Sequence, residues 1–374
     1  MKKEFIEKKE RLVELMSREN LGGVLINSQH NFAWLTGGAF NGIDQSRENG
    51  AATLLVTAKG NTYLLANNIE LERVMTEQLS DLSDIKPIGF SWQEEKADAA
   101  IAIKTANGLA ASDVVSDIAL HPSTRSIEGL LAPLRYSLTE DEADRYTQLG
   151  QDTSNAVLNT INRLAIGETE TEIDANLRQE LAKKKITSVV TLVAADQRIS
   201  QYRHPVPSEN KFHKTLLLVT CAKRGGLIAS MSRMVSVGEP SGELVKNTEA
   251  AAYVNACLLS STRPGATSRS LYETAARAYA ERGFDDEINL HHQGGATGYR
   301  TREWVAHPLG SDVIKKDQAF AWNPSITGTK IEDTVLIGEE GGSASKCITG
   351  NVKFPVIESY VGGEVYLSPG IVTI

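Results

Sequence analysis

Gly167-Glu168-Thr169 and Pro264-Gly265-Ala266-Thr267 are two versions of one signal. After Thr169 the apolar positions Ile173, Leu177 and Leu181 share one helical face, and after Thr267 the positions Leu271, Ala275 and Tyr279 repeat the same offsets. A helical segment precedes each motif, at about 140–163 and 243–260, and extended, β-rich sequence follows each. Two such helix–turn–helix–strand units predict an internally duplicated domain with a shared sheet.

The strands of the first unit are readable directly. Thr215 to Ala222 is a continuous apolar run of the kind found in central strands, Arg224-Gly225-Gly226 turns it, and Leu227 to Val235 returns. In the second unit Ala319 to Ile326 and Thr334 to Gly338 play the same part. Upstream, Thr139 and Glu142 form a capping box, each able to satisfy the other's backbone donor, so a long helix starts there. The domain boundary is placed at this point, between 136 and 137. The preceding stretch alternates helix and strand. Ile6, Leu12, Leu15 and Met16 pattern an amphipathic helix over 4–18, and Gly22 to Asn27 reads as a short buried strand. Ala52 to Val56 and Thr62 to Ala66 flank a Lys59-Gly60-Asn61 turn.

Bulk composition sets limits on function. A chain of 374 residues exceeds one ordinary core, so two domains are expected. A hydrophobic share of 41%, a charged share of 23% and a net charge of -8 describe a globular protein without the basic face that nucleic acid or an anionic membrane requires. Three widely spaced cysteines (Cys221, Cys257 and Cys347) form neither a disulfide framework nor a zinc pattern. The charged N-terminus lacks a signal-peptide core, and no apolar run approaches the roughly 18 residues of a membrane span. A cytoplasmic location is the expectation.

Chemistry concentrates in two segments, 186–213 and 286–310, which hold most of the histidines. His291-His292-Gln293-Gly294-Gly295-Ala296-Thr297-Gly298 is followed by Trp322-Asn323-Pro324-Ser325-Ile326 and Ile331-Glu332-Asp333-Thr334. These pieces, with Asn31-Phe32-Ala33-Trp34-Leu35-Thr36-Gly37-Gly38 near the N-terminus, resemble the creatinase, prolidase and aminopeptidase P superfamily in content and order. The resemblance implies an α/β (α+β) chain, with a creatinase-type N-terminal domain over 1–136 and a duplicated pita-bread domain over 137–374. It also implies a homodimer. The superfamily's five metal ligands fall on Val219, Ser230, Gly295, Asn323 and Glu332. Val and Gly carry no donor, so neither a dinuclear metal centre nor any other cofactor is expected. The superfamily precedent for such a chain is creatinase, which hydrolyses a C–N bond without metal, although its second acidic residue falls on Ser232 here.

Candidate site residues follow. His204 holds the position of creatinase's catalytic histidine, and an imidazole titrating near neutrality can activate water and protonate a leaving nitrogen. The plainer alternative is a loop histidine packed on Pro205. Glu332 and Asp333 point to opposite faces of a strand, and the resemblance turns Glu332 to the pocket. There its pKa would be raised by burial and it would hold a protonated His204 or bind a cationic substrate group, or else serve as a structural carboxylate. His291 is the third catalytic candidate. Gly295 is read as leaving a hole for substrate or water. Substrate-binding candidates are Tyr299, Arg300, Arg302 and His292, with Phe40 and Arg47 from the N-terminal domain. The resemblance places Phe40 and Arg47 in a region that reaches a partner's pocket. Arg302 would clamp a carboxylate, unless it merely pairs with Glu303. The expected function is metal-independent, creatinase-like hydrolysis of a C–N bond in a small carboxylate-bearing, amino-acid-like molecule. A non-catalytic binding protein and an Xaa-Pro metallopeptidase with replacement ligands are the alternatives.

Overall fold

A computed structural model describes residues 2–82 and 84–374, and the chain divides into two compact units, Met1–Arg135 and Tyr136–Ile374. In the first unit, strands β1 (Gly23–Ser28), β2 (Asn49–Thr57), β3 (Thr62–Asn67), β4 (Ile85–Phe90) and β5 (Val115–Ser116) form one sheet in the order β4-β3-β2-β1-β5. The β2–β3 hairpin turns at Gly60, whose φ of 78° suits glycine. The amphipathic helix Lys2–Glu19 buries Phe5, Leu12, Leu15 and Met16.

The second unit is duplicated down to its turns. Helix Glu140–Ile161 starts with the Thr139–Glu142 capping box, and helix Glu170–Ala182 starts with a second box, Thr169–Glu172. Helices Gly242–Ser261 and Ser268–Glu281 repeat the pair, the latter capped by Thr267 and Ser270. Gly167 and Gly265 take φ of 97° and 92°, and their N–H groups donate to the carbonyls of Phe212 and Ile314. Thr169 and Thr267 likewise make isolated antiparallel bridges, to Lys211 and Val313.

Each helix pair is followed by an antiparallel meander. The first is β6 (Thr187–Ala195), β7 (Thr215–Arg224) and β8 (Leu227–Ser236). The second is β9 (Gly294–Thr297), β11 (Ala319–Trp322) and β14 (Asp333–Leu336), edged by β10 (Trp304–Val305) and β15 (Lys346–Cys347). The shared sheet expected from the repeat is two sheets meeting at β8 and β14. The Ser232 N–H donates to the Glu332 carbonyl at 2.9 Å, and the Ser230 N–H to Thr334 Oγ1 at 2.8 Å.

The strand expected over Ala319 to Ile326 is interrupted. Pro324 cannot donate to a ladder, so β11 stops at Trp322. Ser325–Ile326 (β12) pairs instead with Thr329–Lys330 (β13) in a short hairpin. That break carries the chain into the site. Among the described residues no helix is long and apolar enough to cross a membrane.

Candidate active site at the junction of the two repeats

Three segments converge on the site. His204 lies between β6 and β7, on a stretch held at both sides. The Val193 N–H donates to the Pro205 carbonyl at 3.2 Å, while the Arg203 guanidinium bridges Glu287 Oε2 (2.5 Å), Thr327 Oγ1 (2.8 Å) and Ser325 Oγ (3.2 Å). His291 and His292 precede β9. Tyr279, from the helix face read in the sequence, places its hydroxyl 2.6 Å from Gln293 Oε1 and accepts from the Ser325 N–H at 3.0 Å. Gln293 in turn donates to the His291 carbonyl, so the repeat's second helix fixes the histidine pair.

The three imidazoles come together. His204 Nε2 lies 3.0 Å from His291 Nε2 with the rings edge to face, and His291 stacks on His292 at 4.4 Å between centroids. His292 Nδ1 accepts from the Gly294 N–H at 3.3 Å. Beside them Glu332, 2% exposed, accepts from Arg302 at 2.8 Å on Oε1 and faces the Lys330 ammonium at 3.7 Å on Oε2. Asp333 turns to the opposite side, where it binds Arg233 at 2.9 Å.

This electrostatic arrangement differs from the one expected of Glu332 and His204. Burial opposes ionisation of Glu332, but Lys330 and Arg302 outweigh it and hold its carboxyl below the usual range rather than above it. Its partners are those two cations, not a protonated His204. Burial, then the charge of Lys330, lowers all three histidines: His204 below its ordinary value, His291 to about 2 and, with Arg302 acting ahead of Lys330, His292 to about 4. At neutral pH the three rings are therefore uncharged. Burial also keeps the Cys221 thiol protonated, which removes it as a nucleophile.

The remaining candidates separate. Tyr299 is 2% exposed and donates to Glu142 Oε1 at 2.8 Å, so it serves the 140–161 helix rather than the histidine group. Arg300 sits in the β9–β10 turn, its carbonyl accepting from the Gly298 N–H at 3.2 Å. Arg302 is committed to Glu332 and, through Nη1, to the Thr301 carbonyl at 2.6 Å; Glu303 accepts from the Tyr299 N–H. Phe40 and Arg47 lie in the first unit between Thr36 and β2, where Arg47 is exposed and pairs with Asp44 at 3.1 Å.

Gly295 does not open a hole. A Cβ there would lie 2.1 Å from the Trp304 carbonyl oxygen, and at Gly294 it would lie 2.2 Å from that of Ala321. These glycines let β9 press between β10 and β11, so backbone fills the space read as a ligand cavity. Val219 and Ser230, also matched to the superfamily's metal ligands, are equally unsuited. Val219 packs in an apolar cluster with Leu192, Leu217 and Met234, and Ser230 donates to Cys221 Sγ at 3.3 Å. Asn323 is buried with its Oδ1 unpartnered, which is one neutral carbonyl donor, and Glu332 is engaged by Arg302 on Oε1 and faces Lys330 on Oε2. A dinuclear centre does not fit this donor set. Among the described residues the group able to hold a cation is instead His204, His291 and His292, whose ligand atoms lie within 4.8 Å of one another.

Lys330 and Arg203 are the two site residues that the sequence reading passed over. Lys330 had a usable signal, since it stands two positions before Glu332 in an extended run and so shares its face.

Comparison with known proteins gives the lineage. The profile of the creatinase/prolidase N-terminal domain matches residues 8–112. An Xaa-Pro dipeptidase of Pyrococcus horikoshii is 20% identical over 347 residues, 90% of this chain and 95% of the relative. Dipeptidase PepE from Mycobacterium ulcerans superposes with a TM-score of 0.75 at 16% identity, covering 94% of this chain and 96% of that one. An Xaa-Pro dipeptidase from Bacillus anthracis gives 0.74 at 18% identity, covering 99% and 100%. At such identities the structural likeness establishes the fold. The profile of metallopeptidase family M24 matches residues 145–339, more than half of the sequence, and the chain belongs to that family of hydrolases.

Proposed function

We propose that this protein hydrolyses a C–N bond in a small, carboxylate-bearing, amino-acid-like molecule, without the dinuclear centre of its family. The supporting observation is the Nε2-to-Nε2 contact of His204 and His291 at 3.0 Å. Of two neutral imidazoles so placed, one donates and the other accepts. In the tautomer in which His204 donates, its Nδ1 keeps a lone pair. His204 then takes a proton from the attacking water at Nδ1 and returns it to the leaving nitrogen, while His291 fixes the ring and the tautomer. Glu332 is not the base, because Arg302 and Lys330 bind its carboxylate. It acts by holding those two cations beside the histidines.

The test is a panel of Xaa-Pro dipeptides and N-acyl, N-carbamoyl and N-amidino amino acids, assayed after metal removal. Turnover that survives chelation and disappears in His204→Ala is expected. Turnover restored only by added Mn2+ or Co2+ would overturn the metal-free reading. Binding of panel members with no turnover of any would make the chain a binding protein instead. The three imidazole nitrogens within 4.8 Å favour a second reading, hydrolysis assisted by a single late transition ion. Two neighbouring cations oppose it.

A further inference from the structure

We propose that Lys330 is the anchor for a monoanionic carboxylate on the ligand of this site, an inference that rests on the histidine group being the ligand-binding locus. Lys330 is 5% exposed, its ammonium makes no hydrogen bond among the described residues, and it is not one of the fully buried unpartnered atoms, so it keeps an opening through which an acceptor can reach it. The carboxylate oxygen within ion-pair reach is Glu332 Oε2, at 3.7 Å, beyond hydrogen-bond distance. An ammonium carries three donors, and one so little exposed gains from an acceptor that reaches it. Arg302 adds a second orphan, since its buried Nε–H also lacks a partner.

Charge identifies what the acceptor is. Lys330 and Arg302 contribute two positive charges, Glu332 one negative charge, and the three imidazoles none, so the group carries a net +1. Among the described residues no carboxylate besides Glu332 pairs with Lys330 or Arg302. Asp333 binds Arg233 on the far side of the strand, Glu287 takes Arg203, and Glu303 accepts from the Tyr299 backbone. A monoanion brings the group to neutrality. A phosphate dianion would overshoot and leave a net negative charge in a half-buried setting. Lys330 also acts electrostatically on His204, His291 and His292, so an anion held by it offsets the charge that these imidazoles feel. Arg302, the clamp expected from sequence, is already occupied by Glu332, and Lys330 takes over that role.

The assignment is tested with N-acetylglycine and its neutral counterpart N-acetylglycinamide, titrated by calorimetry and by the NMR shifts of the histidine ring protons. The wild-type protein is expected to bind the acid at least about tenfold more tightly than the amide, in line with one charge-assisted hydrogen bond. Lys330→Met is expected to abolish that preference and Lys330→Arg to keep part of it. Equal binding of acid and amide, unchanged acid affinity in Lys330→Met, or stronger binding of inorganic phosphate would each overturn the assignment. Should Lys330→Met fail to fold, the wild-type comparison of acid with amide decides alone. Carboxylate binding at Lys330 without turnover of any substrate would keep this inference and sink the hydrolase reading. Turnover in Lys330→Met with unchanged KM would do the reverse.

Discussion

Arg302 donates to Oε1 of Glu332 at 2.8 Å, and the two side chains are 14% and 2% exposed. Removing one member leaves the other uncompensated in a poorly solvated place, a loss of about 3–5 kcal/mol for buried pairs. Glu332→Gln is the more damaging change because it strands both Arg302 and Lys330. It is expected to lower the melting temperature of the second unit by on the order of 10 °C in calorimetry. The double variant with Arg302→Met should lose less than the sum of the two singles, and strict additivity would show that the contact carries no coupling.

The histidines make stability fall on the acid side. His291 and His292 have folded pKa values lowered to about 2 and about 4, from 6.5 in an unfolded chain. Between pH 6.5 and those values the unfolded state binds protons that the folded state refuses. The stabilising contribution is therefore complete above pH 6.5 and shrinks as pH falls. Glu332, also lowered, adds loss only below its unfolded value of 4.5. Urea midpoints measured from pH 7 to pH 5 isolate the histidine share. They are expected to decline in the parent and to decline less in His291→Gln; a flat profile would mean that the rings are not buried as neutral groups.

How much of this was legible in the sequence depended on range. The capping box at Thr139 and the Gly167 and Gly265 turns are local devices, and each formed where its residues predicted. The histidine pair joins positions 87 apart, so no local pattern could show that His204 meets His291 rather than Glu332. Gly295 misled because glycine serves both ligand approach and strand approach, and the strands that fill its space come from Trp304 and Ala321. Lys330 was hidden by its class, since lysine is read as surface unless a partner on the same face is sought.

Restoring a ligand type by substitution should fail at Gly295. A side chain there meets the Trp304 carbonyl oxygen at 2.1 Å and Val305 Cα at 2.9 Å, both backbone atoms that cannot swing aside. Gly295→Ala is expected to cost about 3 kcal/mol through displaced β9–β10 pairing, and Gly295→His at least as much. Neither should increase Mn2+ uptake measured by elemental analysis. A Gly295→His protein with parental stability and a bound ion would show that the strand moves freely, against the close packing described.

Lys330 also decides whether the three-histidine group acts as a metal site. Two imidazole nitrogens on one tetrahedral ion stand about 3.3 Å apart, close to the 3.0 Å between His204 and His291, so geometry alone permits an ion. Charge opposes it, because the ion would add two positive charges to a group already at net +1, in surroundings where Coulomb repulsion is weakly screened. Titration with Co2+, followed by its visible absorption, is therefore expected to show weak or no uptake by the parent. Lys330→Met, which removes the repelling ammonium and leaves the imidazoles and Glu332 in place, is expected to bind Co2+ more tightly. His292→Ala in that background should remove the gain. Parent protein that retains one equivalent of zinc through purification would mean that the imidazoles outweigh the cations, and the single-ion reading would then replace the metal-free one.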